Sequence, residues 1–380
     1  MRKPIVSLGV VLVVGALLGS VLGAGRAGAA TARSTAPLRL TTSPLPVVLD
    51  AKPGQTVSTN IKMKQSGGDT ELLKVSLMKF SSSGDTGKPS LSERGPGDDY
   101  FDWVKFDKPT FTAPSDVWQT IKMTVNVPKS AVFSYYYAVV FSRVGDDQSP
   151  GGGKAGIAGG TAVLVMMDVN APGATSILQL QSFGVTHRVM EFMPTEFTVK
   201  LANVGNTFVR PGGTIFINQG GRQVGLVDFN DGLGTVLDNS KRLFTETWSY
   251  GWPYYAVKKD NGKSKQDASG NPQMALNWSL PAPKPREQGG TAEDDFIASK
   301  SQNPLANIRF GLYTAHLLVV YTDGHGHDVP LESTVSFWVI PWRALLILLA
   351  ILLVIGFGFY SSFRRAAGWA RVKRRFRRRR

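Results

Sequence analysis

The sequence contains no cysteine. Thiol catalysis, cysteine-ligated zinc, iron–sulfur clusters and disulfide staples are therefore excluded, and an exported chain of this composition must be held by its core alone. Histidine is scarce: His187, His316, His325 and His327 are all there are. No Gly-x-Ser-x-Gly elbow, His-Glu-x-x-His helix or phosphate-cradling glycine loop occurs, which removes the commonest hydrolase, zinc-protease and nucleotide signatures. Gly151–Gly153 is glycine-rich but opens no helical pattern. The acids Asp98-Asp99 and Glu293-Asp294-Asp295 sit in polar stretches and read as solvated surface rather than as a glycosidase pair facing across a cleft.

Net charge is also nearly absent from the body. Arg2, Lys3 and Arg26 at one end, with the eleven cations from Arg343 onward at the other, account for all but one unit of the formal +15. A nucleic-acid groove needs basic residues on a folded face, so no nucleic-acid partner is expected. Basic ends flanking apolar runs instead set membrane topology.

The N-terminal 1–30 reads as a cleaved signal peptide, with Arg2 and Lys3, the apolar Ile5–Leu22 and the small-x-small Ala27-Gly28-Ala29. Near the other end, Ala344–Tyr360 carries no charge, and 341–362 is expected to cross a bilayer. Trp338 and Trp342 on one side and Tyr360 and Phe363 on the other would sit at the interfaces. The basic 363–380 then reads as a cytoplasmic stop. The expected localisation is a single-pass cell-membrane protein with its body outside. Its expected partners are the bilayer, through this span, and cell-wall polymer or surface proteins.

Between the ends the period is two, with almost no helical repeat. Val57, Thr59, Ile61 and Met63 alternate with polar residues, as do Leu73, Val75 and Leu77, and Ile121, Met123, Val125 and Val127. Ser134–Val144 and Thr161–Val169 are apolar enough for central strands, with Tyr136 facing away from Tyr135 and Tyr137. After the linker Asn170-Ala171-Pro172-Gly173, Phe197, Val199 and Leu201 start a second set. Leu312–Tyr321 and Ser333–Ile340 form a hairpin through a loop at 322–331. The fold class is all-β: two immunoglobulin-like β-sandwich domains in tandem, 31–170 and 171–340, followed by one transmembrane α-helix. A polar insertion near 256–306 reads as a mobile excursion.

Ala51-Lys52-Pro53-Gly54-Gln55, Val127-Pro128, Tyr135–Phe141, Leu201-Ala202-Asn203-Val204-Gly205-Asn206 and Pro211-Gly212-Gly213, followed by one span and a basic tail, resemble the WxL-interacting surface proteins of Gram-positive bacteria. The resemblance implies a peptidoglycan-binding first domain and a partner-binding second one. The matching segments are turns and core, and no binding residue is carried over.

Two constellations could carry chemistry. Asp323, His325 and His327 share a tight loop and could ligate zinc or copper; a polar hairpin tip accounts for the same residues and is the favoured reading, so no cofactor is expected. Trp248, Tyr250, Trp252 and Tyr254 form an aromatic run suited to sugar rings or protein contacts; filling of the core is the alternative. The expected function is non-catalytic surface binding, with a chaperone-like assembly role as the alternative. A metal enzyme at the His325/His327 loop is the least favoured reading.

Overall fold

In the computed structural model, the described residues are 38–145, 160–260, 263–267, 269–279, 283, 290–299 and 307–377. The signal-peptide reading of 1–30 lies outside them.

The first sandwich uses ten strands: β1 (Leu40–Ser43), β2 (Val47–Ala51), β3 (Thr56–Gln65), β4 (Glu71–Ser83), β5 (Lys88–Ser92), β6 (Val104–Phe106), β7 (Thr110–Ala113), β8 (Trp118–Asn126), β9 (Phe133–Arg143) and β10 (Thr161–Val169). One sheet runs β1-β3-β8-β6. The other runs β2-β10-β9-β4-β5, with β7 also on β4. The period-2 pattern places Ile61 opposite Ile121 and sends Ile61, Met63, Ile121, Met123 and Val125 inward. There they meet Leu73, Tyr137, Phe141, Val163 and Val165 of the facing sheet.

The second sandwich contains β11 (Leu178–Val185), β12 (Val189–Met190), β13 (Thr195–Asn203), β14 (Gly212–Gln219), β15 (Arg222–Phe229) and β16 (Lys241–Trp248). Next come the short strands β17 (Tyr254–Val257), β18 (Lys259–Asp260), β19 (Lys263–Ser264) and β20 (Met274–Asn277), the helix α1 (Ala292–Ala298), then β21 (Gly311–Thr322) and β22 (Asp328–Val339). Its sheets are β11-β13-β16 and β12-β22-β21-β14-β15. The core is aromatic. Phe337 stacks on Tyr313 at 5.6 Å between centroids and meets Phe197 edge-on at 5.7 Å. Gly225 leaves room for Trp248, because a Cβ there would lie 2.6 Å from the indole Nε1.

Three expectations are corrected. The β21–β22 turn is 323–327, not 322–331, because β22 already pairs at Asp328. β22 accommodates Pro330 because, apart from β12 alongside Val189–Met190, its outer side is a sheet edge, where a missing N–H costs no ladder bond. The insertion near 256–306 is not wholly irregular: β17 pairs with β20, β18 with β19, and Thr291 and Asp294 close a capping box on α1. The linker is also fastened. Asn206 Oδ1 accepts from Thr175 N–H at 2.7 Å, and Asn206 Nδ2 donates to Gly173 O at 3.0 Å.

β22 leads directly into α2 (Trp342–Arg377). Within it, Trp342–Arg364 is 23 residues long and apolar enough to cross a membrane, and its apolar stretch is unburied. The helix continues past 362, so the expected start of a separate tail at 363 is not a break in secondary structure.

With no cystine to brace it, the core should be sensitive to truncation. Phe337→Ala is expected to cost about 3–5 kcal/mol, while the exposed Thr334→Ala should stay within about 0.5 kcal/mol. Chemical unfolding of the detergent-solubilised chain checks both.

Candidate binding cleft between the sandwiches

β10 is apolar on both faces. Val163, Val165 and Met167 point into the first core; Ala162, Leu164 and Met166 point out, beside Phe80 of β4, Leu91 of β5 and Tyr136 and Ala138 of β9. A strand apolar on both sides expects cover on both. Leu237 and Phe208 of the second sandwich cover part of this outer face. The remainder floors an open cleft of about 460 Å³, walled by the β4–β5 hairpin and the 232–242 segment.

Polar bonds pin the two sandwiches together around that apolar contact. The Tyr136 hydroxyl donates to Asp238 Oδ1. Ser134 Oγ accepts from Phe208 N–H at 3.1 Å. At the hairpin tip Asp85 receives Lys200 Nζ at 2.6 Å on its carboxylate and Leu243 N–H at 2.5 Å on its carbonyl. Lys200 holds the Asp85 carboxyl below the usual range. Burial, then the Asp238 charge, pushes the Tyr136 phenol well up, so it remains a donor.

The lining has a definite chemistry. Among the described residues its polar side chains are serines, Thr235, Lys88 and Arg242, and none of these is an amide or a carboxylate. Arg242 donates to Thr235 O at 2.8 Å and lies 5.0 Å over the Phe244 ring. Burial lowers its pKa. Behind the cleft, Asp168 on β10 is the register partner of Asp50 on β2. Its Oδ1 lies 3.5 Å from Ser134 Oγ. Burial, then the Asp50 charge, raises it from 3.8 to about 6.

The aromatic run is not an exposed patch. Trp248 and Tyr250 are fully buried in the second core, so they cannot meet a ligand as proposed. The inward alternation of β16 simply continues through its end. Arg309 lies 5.4 Å over the Trp248 ring and 5.3 Å over that of Tyr250. Trp252 and Tyr254 are half-buried. Trp252 Nε1 donates to Trp278 O at 2.7 Å, and Tyr254 Oη accepts from Asn277 at 2.9 Å.

Asp323, His325 and His327 form a hairpin tip. Asp323 Oδ1 accepts from the backbone N–H groups of His325 and His327 at 2.8 and 2.9 Å, and these bonds lower its pKa. No group of three potential ligands occurs among the described residues. The tip instead meets the linker: a Cβ at Gly324 would lie 2.5 Å from Ala174 O. Two acids expected on the surface are not free there: Asp98 is buried and Glu293 half-buried. Asp98 pairs with Lys79 Nζ at 2.7 Å. Glu293 is pushed up to about 7, first by burial.

Sequence reasoning missed the cleft. The signal that could have found it is the unbroken run from Thr161 to Met167, whose even positions have no reason to be apolar on a free surface.

No family model matches the chain, and no curated protein matches it. Among solved structures it is similar to the CsuC–CsuE chaperone–tip adhesion subunit pre-assembly complex of Acinetobacter baumannii. That match has 12% identity, covers 54% of this chain and 89% of that one, and has a TM-score of 0.29. It is similar to the YadV chaperone at 11%, 78%, 99% and 0.30 in the same order, and to the Pseudomonas aeruginosa CupB2 chaperone at 8%, 77%, 98% and 0.29. No part of the functional reading rests on likenesses of this level.

Because folding raises the Asp168 pKa, the folded chain holds more protons than the unfolded one between 3.8 and about 6. This group's contribution to stability is therefore greatest below pH 3.8, falls as pH rises through about 6, and is flat above. Asp168→Asn should melt higher than the parent at neutral pH, and the gap should close as pH is lowered through that window. Melting temperatures against pH check it.

Proposed function

We propose that the chain is a non-catalytic, membrane-anchored binding protein that holds extended apolar segments of exported proteins in the cleft between its sandwiches, an assembly role at the cell surface. The observation that supports this is the open cleft between two bodies that are pinned to each other, floored by the half-buried Leu91 and Leu164 over the buried Phe80 and Met166. An apolar floor flanked by strands suits alternate side chains of an extended peptide. The lining lacks the amides and carboxylates that fix sugar hydroxyls. Lys88 and Arg242 at the cleft favour a segment carrying an acid beside its apolar residues. A span fixes the cleft at the membrane and raises its effective concentration toward chains emerging there.

Leu233 is 67% exposed at the rim. With a photoreactive benzophenone side chain at that position, the full chain in its own cells is expected to cross-link secreted polypeptides. Leu164→Arg should abolish those adducts at a temperature where far-ultraviolet circular dichroism shows the variant still folded. Adducts that survive Leu164→Arg would sink the cleft as the binding site, and retention on isolated wall polymer with no polypeptide adduct would favour the wall-binding reading and sink this one.

A further inference from the structure

Only Ile340 and Pro341 separate β22 from α2, and the joint is fastened. Trp338 N–H donates to Arg188 O at 2.7 Å and Ile340 N–H to Met190 O at 2.8 Å. Arg343, in the first turn of α2, lies 3.4 Å from Glu191 Oε2 and donates to Tyr255 Oη at 3.3 Å. Tyr255 in turn donates to Glu191 at 3.1 Å. This is not a flexible stalk. The 23 residues Trp342–Arg364 measure about 35 Å at the helical rise, against about 30 Å of hydrocarbon. With Arg364 kept out of the hydrocarbon at one end, Trp342 has little slack and sits at the opposite interface.

Large apolar side chains surround that level of the second sandwich. Leu312 and Trp338 are register partners on the outer face of their sheet, and each is 45% exposed. Phe310, Ile308 and Val189, at the same end, are also exposed. The band stops abruptly: the next outward-facing pairs up the hairpin are Thr314 with Ser336 and His316 with Thr334. Each such step is about 7 Å of strand, so the apolar zone is one step deep. Arg188 and Arg222 are exposed at the same end, Arg222 in the turn that pairs with Gln219.

A contiguous exposed apolar patch marks a binding surface, and the fastened joint names its occupant. We propose that this end of the second sandwich is itself a lipid-binding surface. Trp338, Leu312, Phe310 and Ile308 enter the interfacial zone of the leaflet that α2 crosses, and Arg188 and Arg222 meet anionic headgroups. A depth of about 5–10 Å is what interfacial apolar side chains reach, which matches a band one step deep. The body is thereby held at one tilt as well as tethered. This inference rests on α2 being a span and is independent of what the cleft binds.

The lack of cysteine makes the test direct. The full chain carrying a single environment-sensitive fluorophore is reconstituted into phosphatidylcholine vesicles containing a minority of phosphatidylglycerol. Labels at Trp338→Cys, Leu312→Cys and Phe310→Cys are compared with one at Thr334→Cys, on the same strand face as Trp338, and one at Leu348→Cys within α2. The three belt labels are expected to shift to the blue and to lose most of their emission to a headgroup-region lipid quencher, while the Thr334→Cys label remains aqueous. If the Leu348→Cys label is quenched by a deep lipid quencher but the belt labels match Thr334→Cys, the lipid-binding surface is overturned and the span stands. If the Leu348→Cys label is also aqueous, both fall.

Discussion

The arrangement depends on one surface, the outer apolar face of β9 and β10. A β-sandwich ordinarily presents polar residues outward, and two sandwiches joined by a short linker then move independently. Here Tyr136, Ala138, Leu164 and Met166 would be left in water if the domains parted. Burying Leu237 and Phe208 against them couples the domains through the hydrophobic effect. The Tyr136–Asp238 and Asp85–Lys200 bonds then choose one orientation out of the many that apolar contact alone would allow, as polar groups at interfaces do. Because the second sandwich covers only part of the face, the same residues that create the lock also leave the cleft.

The strands were legible because burial writes period 2 directly into the residues: Ile61 and Ile121 are register partners, and Tyr136 leaves the core that Tyr135 and Tyr137 pack into. What period 2 does not encode is which element covers an outward face. Leu164 and Leu178 look alike in sequence, yet one floors a cleft and the other lies in a core. The aromatic run misled for a related reason. Gly251 and Pro253 flank Trp252, and a strand that ends at such residues leaves its last rings open to solvent. But Arg309 stacks over Trp248 and Tyr250 from a segment 59 residues from Tyr250, a partner no local pattern announces. α1 was within reach, since Thr291 and Asp294 have the spacing of a capping box, but seven residues make a weak helical period.

The Asp and His residues of the hairpin tip serve the turn itself. The twelve residues of β22 at about 3.4 Å each carry the Asp323–His327 tip about 40 Å from the start of α2. There Gly324 lies against the linker at Ala174. Asp323 closes the turn with its own carboxylate, which is what a tip that must hold one shape against a passing chain requires. The backbone of His325 and His327 is therefore placed by the turn.

That hairpin also joins the two ends of the second sandwich mechanically. Its tip contacts the linker below the first sandwich, and its base enters α2 through a joint clamped by Arg343, Glu191 and Tyr255. A displacement of the helix is then transmitted along a single pair of fully paired strands rather than being absorbed by a loop. The position of the cleft relative to α2 is consequently set by the base of β22 rather than by a tether. Fixed geometry of this sort raises the local encounter frequency of whatever is held at the same helix without any additional contact.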